Sequence, residues 1–394
     1  MILECRPDRQ VPRGEERTSA HSRMAITLAQ TPLFDWHATH GGRMVDFAGW
    51  SMPVQYSSIV AEHHATRRAV GIFDVSHMGR LRFDGPQAEQ FLDRLVTRRV
   101  TSMPAGQVRY ALVTKHDGGI LDDVLVYHLA DHETGKPYYL MVVNASNRRK
   151  IGTWIEANNR HPDDVHVVDR TRETAMIAVQ GPRALEVVKP LTANDPARLK
   201  YYHADETEVL GAPSILSRTG YTGEDGWELI VPADCAAEVW QSLVDSAIAI
   251  GGSPAGLGCR DTLRLKAGMP LYGHELSEEI NPLQAGLGFA VDLESRSFPG
   301  SDVLKQLDRS AQPKRVGLRL EGGRVPREGY AILRGADPVG RVTSGTFSPT
   351  LERPIAMGYV QPEFAAPAQE LSIDIRGRGE PARVVKLPFY RRTS

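Results

Sequence analysis

Apolar and polar residues along this chain follow two periods, and the period changes several times. From Ile26 to Gly79, turn-rich stretches surround one helical pattern. Ser57 and Ser58 precede Ile59, His63 and the run Thr66 to Val70, and this spacing predicts a helix near 58–70 with Gly71 as its C-cap. "FDVSHMGRLRFDG" (73–85) alternates in the period of a strand and ends at the turn Asp84-Gly85-Pro86. Ala88, Phe91, Leu92, Leu95 and Val96 then line one face of a second helix.

Between Tyr110 and Ser146 the signal is β. "YALVT", the turn "KHDGG", "ILDDVLVYHL", a polar loop at 131–137 and "YYLMVVNAS" predict an antiparallel meander. "AMIAVQGPRALEVV" reads as strand, Gly-Pro turn and helix. "SILSRTGYTGEDGWELIVP" reads as two strands around a glycine-rich loop, before a helix at 233–250. After Pro282, "RVGLRL", "YAILRG", "GRVTSGTFS", "IAMGYV", "LSIDIRG" and "ARVVKLPFY" are short, evenly spaced strands that predict an all-β C-terminal barrel or sandwich.

Composition narrows the function classes. The 394 residues are enough for two to three domains. With 47 Lys and Arg against 48 Asp and Glu, the net charge of −1 gives no global field to draw nucleic acid or an anionic membrane. No 18 uncharged apolar residues run together, so no membrane span is expected. Cys5, Cys235 and Cys259 are too scattered for a disulfide framework and suit a reducing, cytoplasmic compartment. The leader, closed at residue 25, carries five arginines broken by acids and no apolar core. It reads as a disordered segment with Met24 as a second start, and as a poor transit peptide should the source be eukaryotic and the destination the mitochondrial matrix.

The sequence has no phosphate-binding loop, and "GLGCRD" lacks the third glycine of a dinucleotide fingerprint, so no nucleotide is expected. His63 and His64 are adjacent and diverge on a helix, which predicts a satisfied surface pair; no metal site is expected. Asp74 and His77 have the means to share a proton relay, though a strand-end histidine bonded to backbone is the commoner arrangement.

Three segments concentrate chemistry. In "GGILDDVLVYHL" (118–129) strand alternation puts Asp123 with Leu121, Leu125 and Tyr127 on one face, and Asp122 with Val124 and Val126 on the other. A carboxylate among apolar neighbours is desolvated and suited to proton transfer; the plainer reading is a cap for the turn after Gly118-Gly119. Spacing does not choose between the two aspartates. In "GYTGEDGWEL" (220–229) three glycines would let backbone approach a ligand, and Glu228 offers two parallel acceptors to a planar heterocycle such as a pterin, against a plain hairpin with a solvated Glu. In "GLGCRDTLRLKAGMPLYG" (256–273) Arg260 near a helix start faces either a ligand or a structural ion pair with Asp261.

Together with "GGRMVDFAGWSMPVQY", "GIFDVSHMG", "AVQGP", "NPLQAGL" and "VTSGTFSPTL", these segments resemble the aminomethyltransferase (T-protein) family of the glycine cleavage system, collinearly from Thr31 to Arg391. The resemblance implies an α+β fold of three lobes around a central folate channel. The implied parts are residues 26–80 with 160–275 as a discontinuous folate-binding domain, 81–159 as an antiparallel α+β domain, and 276–394 as a C-terminal barrel. It also implies tetrahydrofolate as co-substrate and the lipoylated H-protein as partner, delivering an aminomethyl group that yields 5,10-methylenetetrahydrofolate and ammonia.

Carried over by position, the resemblance makes Asp123 the key acid, Glu228 the pterin anchor, Asn144 and Tyr221 pocket residues and Arg260 a polar folate contact. Met78, Tyr110, Tyr201 and Tyr202 fall on wall positions, and Arg391 on a folate contact beside Arg392. Two relatives compete with this expectation. One is a folate-dependent demethylase of the same superfamily, acting on a small methylated substrate; no flavin domain accompanies the chain, which argues against the sarcosine- and dimethylglycine-oxidising relatives. A non-catalytic folate-binding maintenance protein would carry a "KGCYxGQE"-like cysteine, which "KAGMPLYGHE" (266–275) lacks. The basic run Arg148-Arg149-Lys150, after the Asn144 strand, is expected to meet the H-protein.

Overall fold

The computed structural model describes residues 27–132 and 134–392; the expected leader lies outside them. Two sheets and a barrel organise the chain. The first sheet has six strands in the order Ala204–Val209, Ala212–Ser217, Gly226–Pro232, Thr174–Gln180, Gly71–Asp74 and Ser253–Pro254. Helix Ala236–Ala249 covers it because Val239, Trp240, Leu243, Val244 and Ala247 form an apolar stripe, all buried with Ile72, Val179, Trp227 and Leu229. The second sheet runs Val108–Thr114, Ile120–Ala130, Pro137–Val143, Gly79–Asp84 and His166–Asp169. Helices Ala88–Leu95 and Arg148–Asn158 close its outer face over Phe83, Val126 and Met141. Between the sheets, Phe73, Met176 and Ala178 of the first meet Tyr127, Leu129 and Leu140 of the second in one core.

The six C-terminal strands, from Lys314–Leu320 to Gly379–Val385, close into a barrel around Leu318, Ile332, Val342 and Ile373. The mixed α+β architecture with an all-β C-terminal barrel is therefore the expected one. Three local expectations change. The predicted strand over 73–85 is two strands in different sheets, Gly71–Asp74 and Gly79–Asp84, joined by a turn in which the amide of Met78 donates to the carbonyl of Val75 at 3.1 Å. Period-two alternation is the same in both strands, so the pattern does not register the crossing, which brings His77 and Met78 between the lobes. The first predicted helix, Ile59–Arg68, has Ser58 as its N-cap but stops at Ala69. Gly71 already belongs to a strand; a Cβ there would stand 2.2 Å from the Thr66 hydroxyl, so close packing rather than capping requires the glycine.

The third change concerns lobe limits. His166–Asp169 pairs with Gly79–Asp84, so the second sheet extends past the limit drawn at 159 and also takes in residues 79–80. That strand carries only four residues, three of them exposed, and leaves too short an apolar pattern to read.

Candidate active site

A cavity of about 830 Å³ opens where the two sheets, the helix Leu257–Lys266 and the barrel meet. That size is in the range of sites that enclose a drug-sized molecule. On one wall the strand Ile120–Ala130 presents Asp123. A register shift opposite Val113 and Thr114 moves Leu121 into the same core as Val124 and Val126, so the strict alternation expected for Leu121 and Asp123 breaks there. The turn before this strand is capped by Asp117, whose Oδ1 accepts from the Gly119 amide at 3.0 Å. Asp122 and Asp123 are thus free of the capping role.

Asp122 is fully buried. It accepts from the backbone amide of Asn144 at 2.9 Å, from Asn144 Nδ2 at 2.8 Å and from Asn147 Nδ2 at 2.6 Å. Asn144 Nδ2 also donates to Asp123 Oδ1 at 2.8 Å, and the Tyr110 hydroxyl donates to Asp123 Oδ2 at 3.2 Å. Burial raises the proton affinity of both carboxyls; the charge of Asp123 raises that of Asp122 further, while the Asn144 and Asn147 bonds oppose the rise at Asp122 and the Asn144 and Tyr110 bonds oppose it at Asp123.

The opposite wall carries Glu228 and Arg260. Glu228 leaves the glycine-rich loop on strand Gly226–Pro232, is buried, and accepts from the Thr219 hydroxyl at 2.5 Å. Among the described residues its Oε1 has no partner. Burial raises its pKa, against the Thr219 hydroxyl and the Arg260 charge. Arg260 stacks over the Tyr221 ring at 4.8 Å, and its Nη1 is buried with no hydrogen-bond partner. The Tyr221 hydroxyl donates to the carbonyl of Pro270, which fixes the ring.

The loop glycines serve the protein itself. A Cβ on Gly220 would stand 1.9 Å from Gln180 Oε1, and one on Gly226 would stand 2.6 Å from Gln180 Nε2. Gln180 plugs the loop by donating to the Thr219 carbonyl and accepting from the Thr222 hydroxyl, each at 3.0 Å. At Gly220 and Gly226 the close approach is therefore made to this buried side chain, while Gly220 also borders the cavity.

Eight of the residues carried over from the resemblance line the cavity: Met78, Tyr110, Asp123, Asn144, Tyr202, Tyr221, Glu228 and Arg260. Two do not. Tyr201 is 48% exposed and packs edge-on against Tyr202, outside the wall. Arg391 is exposed on the C-terminal segment, where its neighbour Arg392 lies 3.6 Å from Asp225. The structure also adds wall residues that the sequence did not single out, chiefly Arg315 and Phe289, and places His77, considered only for a relay with Asp74, on the wall as well. His77 is buried with an unpartnered Nδ1, while Asp74 is taken by His37 at 2.9 Å and by Thr31 at 2.7 Å, so no Asp74–His77 relay forms. Phe289 is 70% exposed and stacked on Tyr110; a single aromatic after a glycine gives no periodic signal.

His63 is also not a surface residue. It is fully buried, bonded to Thr262 at 2.8 Å and to Lys266 at 2.8 Å, because the helix carrying it packs against Leu257–Lys266. In the basic run after Asn144, Arg148 pairs with Asp169 at 3.2 Å and Lys150 with Glu278 at 3.1 Å; only Arg149 is exposed. Among the described residues no group of three or more His, Cys, Asp or Glu stands ready to hold a metal, and no helix is long and apolar enough to cross a membrane.

The sequence matches the GCVT N-terminal domain over residues 33–295 and the glycine cleavage T-protein C-terminal barrel domain over 314–391. The chain belongs to the glycine cleavage T-protein family. It is 47% identical over 370 residues to an aminomethyltransferase of Rubrobacter xylanophilus, covering 93% of this chain and 95% of that one. It is 45% identical over 372 residues to an aminomethyltransferase of Saccharopolyspora erythraea, covering 93% and 99%. The crystal structure of glycine cleavage system aminomethyltransferase T from Bartonella henselae superposes with a TM-score of 0.85 at 30% identity, over 92% of this chain and 98% of that one.

Proposed function

We infer that this chain is the aminomethyltransferase of a glycine cleavage system. It moves the one-carbon unit of an aminomethyl group, carried as a thioether-like adduct on the lipoyl arm of an H-protein, to tetrahydrofolate, and releases 5,10-methylenetetrahydrofolate, ammonia and the H-protein with its lipoyl arm as the free dithiol. The observation that carries the reading is one cavity with two different walls: paired, proton-affine carboxylates on one side, and a buried carboxylate and guanidinium with unused hydrogen-bonding capacity on the other.

The residues present suit tetrahydrofolate as co-substrate. Among the described residues Glu228 Oε1 has no partner and Arg260 Nη1 is buried without one, an arrangement costly to leave unmade: the carboxylate is fitted to adjacent N–H and NH₂ donors of a polar heterocycle, and the guanidinium to an acceptor oxygen or nitrogen of the same molecule. Tetrahydrofolate supplies the two nitrogens that accept the one-carbon unit. Glu228 and Arg260 orient the pterin, Tyr221 and Met78 flank it, and Tyr110 and Asn144 aim Asp123. Asp123, with its raised proton affinity, takes and returns the proton at the reacting nitrogen while the surrounding apolar wall of Val124, Leu125 and Val142 limits water. Tyr201 and Arg391 are assigned no direct contact in this reading. The named relatives are bacterial, and a cytoplasmic location goes with them.

The test is to supply the protein with tetrahydrofolate and aminomethylated H-protein and to measure ammonia and methylenetetrahydrofolate together. Stoichiometric release of both supports the reading. Turnover of a small methylated amine with no response to H-protein would replace it by the demethylase alternative, and folate binding without any turnover by the maintenance-protein alternative.

A further inference from the structure

The carboxylate wall contains a second aspartate for which the proposed reaction has no task. Asp122 is fully buried, faces away from the cavity, and is surrounded by more donors than any other acid at the site. Its Oδ1 accepts from two side-chain amides and its Oδ2 from a backbone amide, so its lone pairs are largely committed to N–H groups. Asp123, one residue on, accepts from one amide N–H and one hydroxyl, and it lines the cavity. The two hydrogens of Asn144 Nδ2 are divided between the aspartates, one to each carboxylate at 2.8 Å.

We propose that Asp122 is a positioning residue that, with Asn147, holds the Asn144 amide between the two carboxylates and keeps Asp123 as the member of the pair that binds the transferable proton. A proton on Asp122 would have to displace an N–H donor. A proton on Asp123 meets free lone pairs and can face the cavity. Burial and the neighbouring charge raise the proton affinity of Asp122 as well, but its three N–H donors favour its ionised form; like-charge repulsion is mutual, so with the proton excluded from Asp122 it is Asp123 that takes it up. The other charged and titratable groups near the pair do not undo this. Arg315 from the barrel lowers the proton affinity of Asp123, Tyr202 and Tyr221 face Asp123 from the first lobe, Tyr110 donates to it, and Tyr272 lies near Asp122.

This inference rests on the reading of Asp123 as the proton acceptor, and it is tested by a measurement that needs no turnover. Difference infrared spectroscopy of the full chain during acidification reads the carboxylic acid C=O band of a protonated aspartate. The wild-type band is expected to disappear in Asp123→Asn. In Asp122→Asn it should persist, with its midpoint lowered by about one pH unit or more because a like charge has been removed. Asn147→Ala is expected to move the midpoint upward, since the Asp122 charge, with one donor fewer to offset it, acts more strongly on Asp123.

The acid limb of the kcat profile should follow the same two directions. It falls as pH drops through the Asp123 midpoint, so Asp122→Asn extends activity to lower pH even with a reduced plateau. Loss of packing alone would not move two variants in opposite directions. A wild-type band that survives in Asp123→Asn and vanishes in Asp122→Asn would overturn the proposal, and so would midpoints that do not move in either Asp122→Asn or Asn147→Ala. Should the wild-type protein bind folate without releasing ammonia, the proposed function would fall while the infrared titration still decided the arrangement of the pair.

Discussion

Arg260 and Arg264 stand one turn apart on the helix Leu257–Lys266, the first half-buried and the second buried, and they have opposite surroundings. Arg264 donates to Asp261 at 2.8 Å, to Glu275 at 2.7 Å and to the Ser344 hydroxyl at 2.8 Å. Glu275 is itself completed by the Thr343 hydroxyl at 2.6 Å and the Leu271 amide at 3.0 Å. Burial would lower the Arg264 pKa, but the charges of Glu275 and Asp261 hold it above its ordinary value. Arg260 has no such closure. Burial lowers its pKa, with Glu228 and Tyr221 opposing, and its Nη1 is without a partner. One arginine ties the helix to the barrel, and the other leaves hydrogen-bonding capacity open to the cavity. A buried charge with every bond made is structural, and one with bonds missing in an otherwise complete interior marks where a ligand goes.

The sharpest way to separate the open set from the closed one is to remove a charge from each. Asp123→Asn keeps the shape of the cavity wall and removes a proton acceptor, so turnover should fall by about 10²–10⁴-fold. Folate affinity and the unfolding midpoint should stay near those of the wild type. Equal slowing of Asp122→Asn, or a worse loss there, would move the proton acceptor to the wrong aspartate and undo the assignment.

Arg264→Met attacks the closed set. It leaves Glu275 buried without its cation, which should lower stability by about 3–5 kcal/mol in denaturant unfolding. Arg260→Met should unfold near the wild-type midpoint while binding tetrahydrofolate more weakly. If Arg260→Met proved the more unstable of the two, the contrast between them would be reversed and Arg260 would be structural.

Glu228→Gln tests the open set from its acidic side. The amide presents donors to the pterin's donors, and the mispaired contact should weaken folate binding by about 1–3 kcal/mol in calorimetry. In the proposed reading it is the ionised carboxylate of Glu228 that accepts from the pterin. With its pKa raised by burial, folate affinity should fade on acidification at a higher pH than for an ordinary glutamate. Affinity independent of both the substitution and pH would return Glu228 to a purely internal role.

Much of this contrast was beyond the reach of the sequence. The six C-terminal strands and the meander from Tyr110 to Ser146 were legible because their periodicity and turns are local. The division of 73–85 between two sheets, and the membership of His166–Asp169, depend on partners far away in the chain. The same holds at the site. Collinear motifs singled out Asp123, Glu228 and Arg260, but the ion pair with Asp261 considered for Arg260 is made by Arg264, three residues on and one turn along the same helix. Asn147 carries a hydrogen bond on which Asp122 depends, yet nothing in "NASNRRK" distinguishes it from a helix cap.

The smallest expected effect concerns the carrier. Of the basic run after Asn144, Arg148 and Lys150 are tied to Asp169 and Glu278, so reversing all three charges would disturb internal ion pairs as well as any docking surface. Arg149 is exposed on the same turn, five residues from the Asn144 amide at the cavity wall. If an acidic carrier approaches along this edge, Arg149→Glu should lower kcat/KM for aminomethylated H-protein by about 2–5-fold, the scale of an exposed charge contact. The loss should shrink as salt is raised from 10 mM toward 0.5 M, because screening shortens the reach of surface charge. Folate affinity should not change, since Arg149 does not line the cavity. An H-protein dependence that stays the same at low salt would place docking elsewhere on the rim, with the exposed Phe289 beside Tyr110 as the next surface to alter.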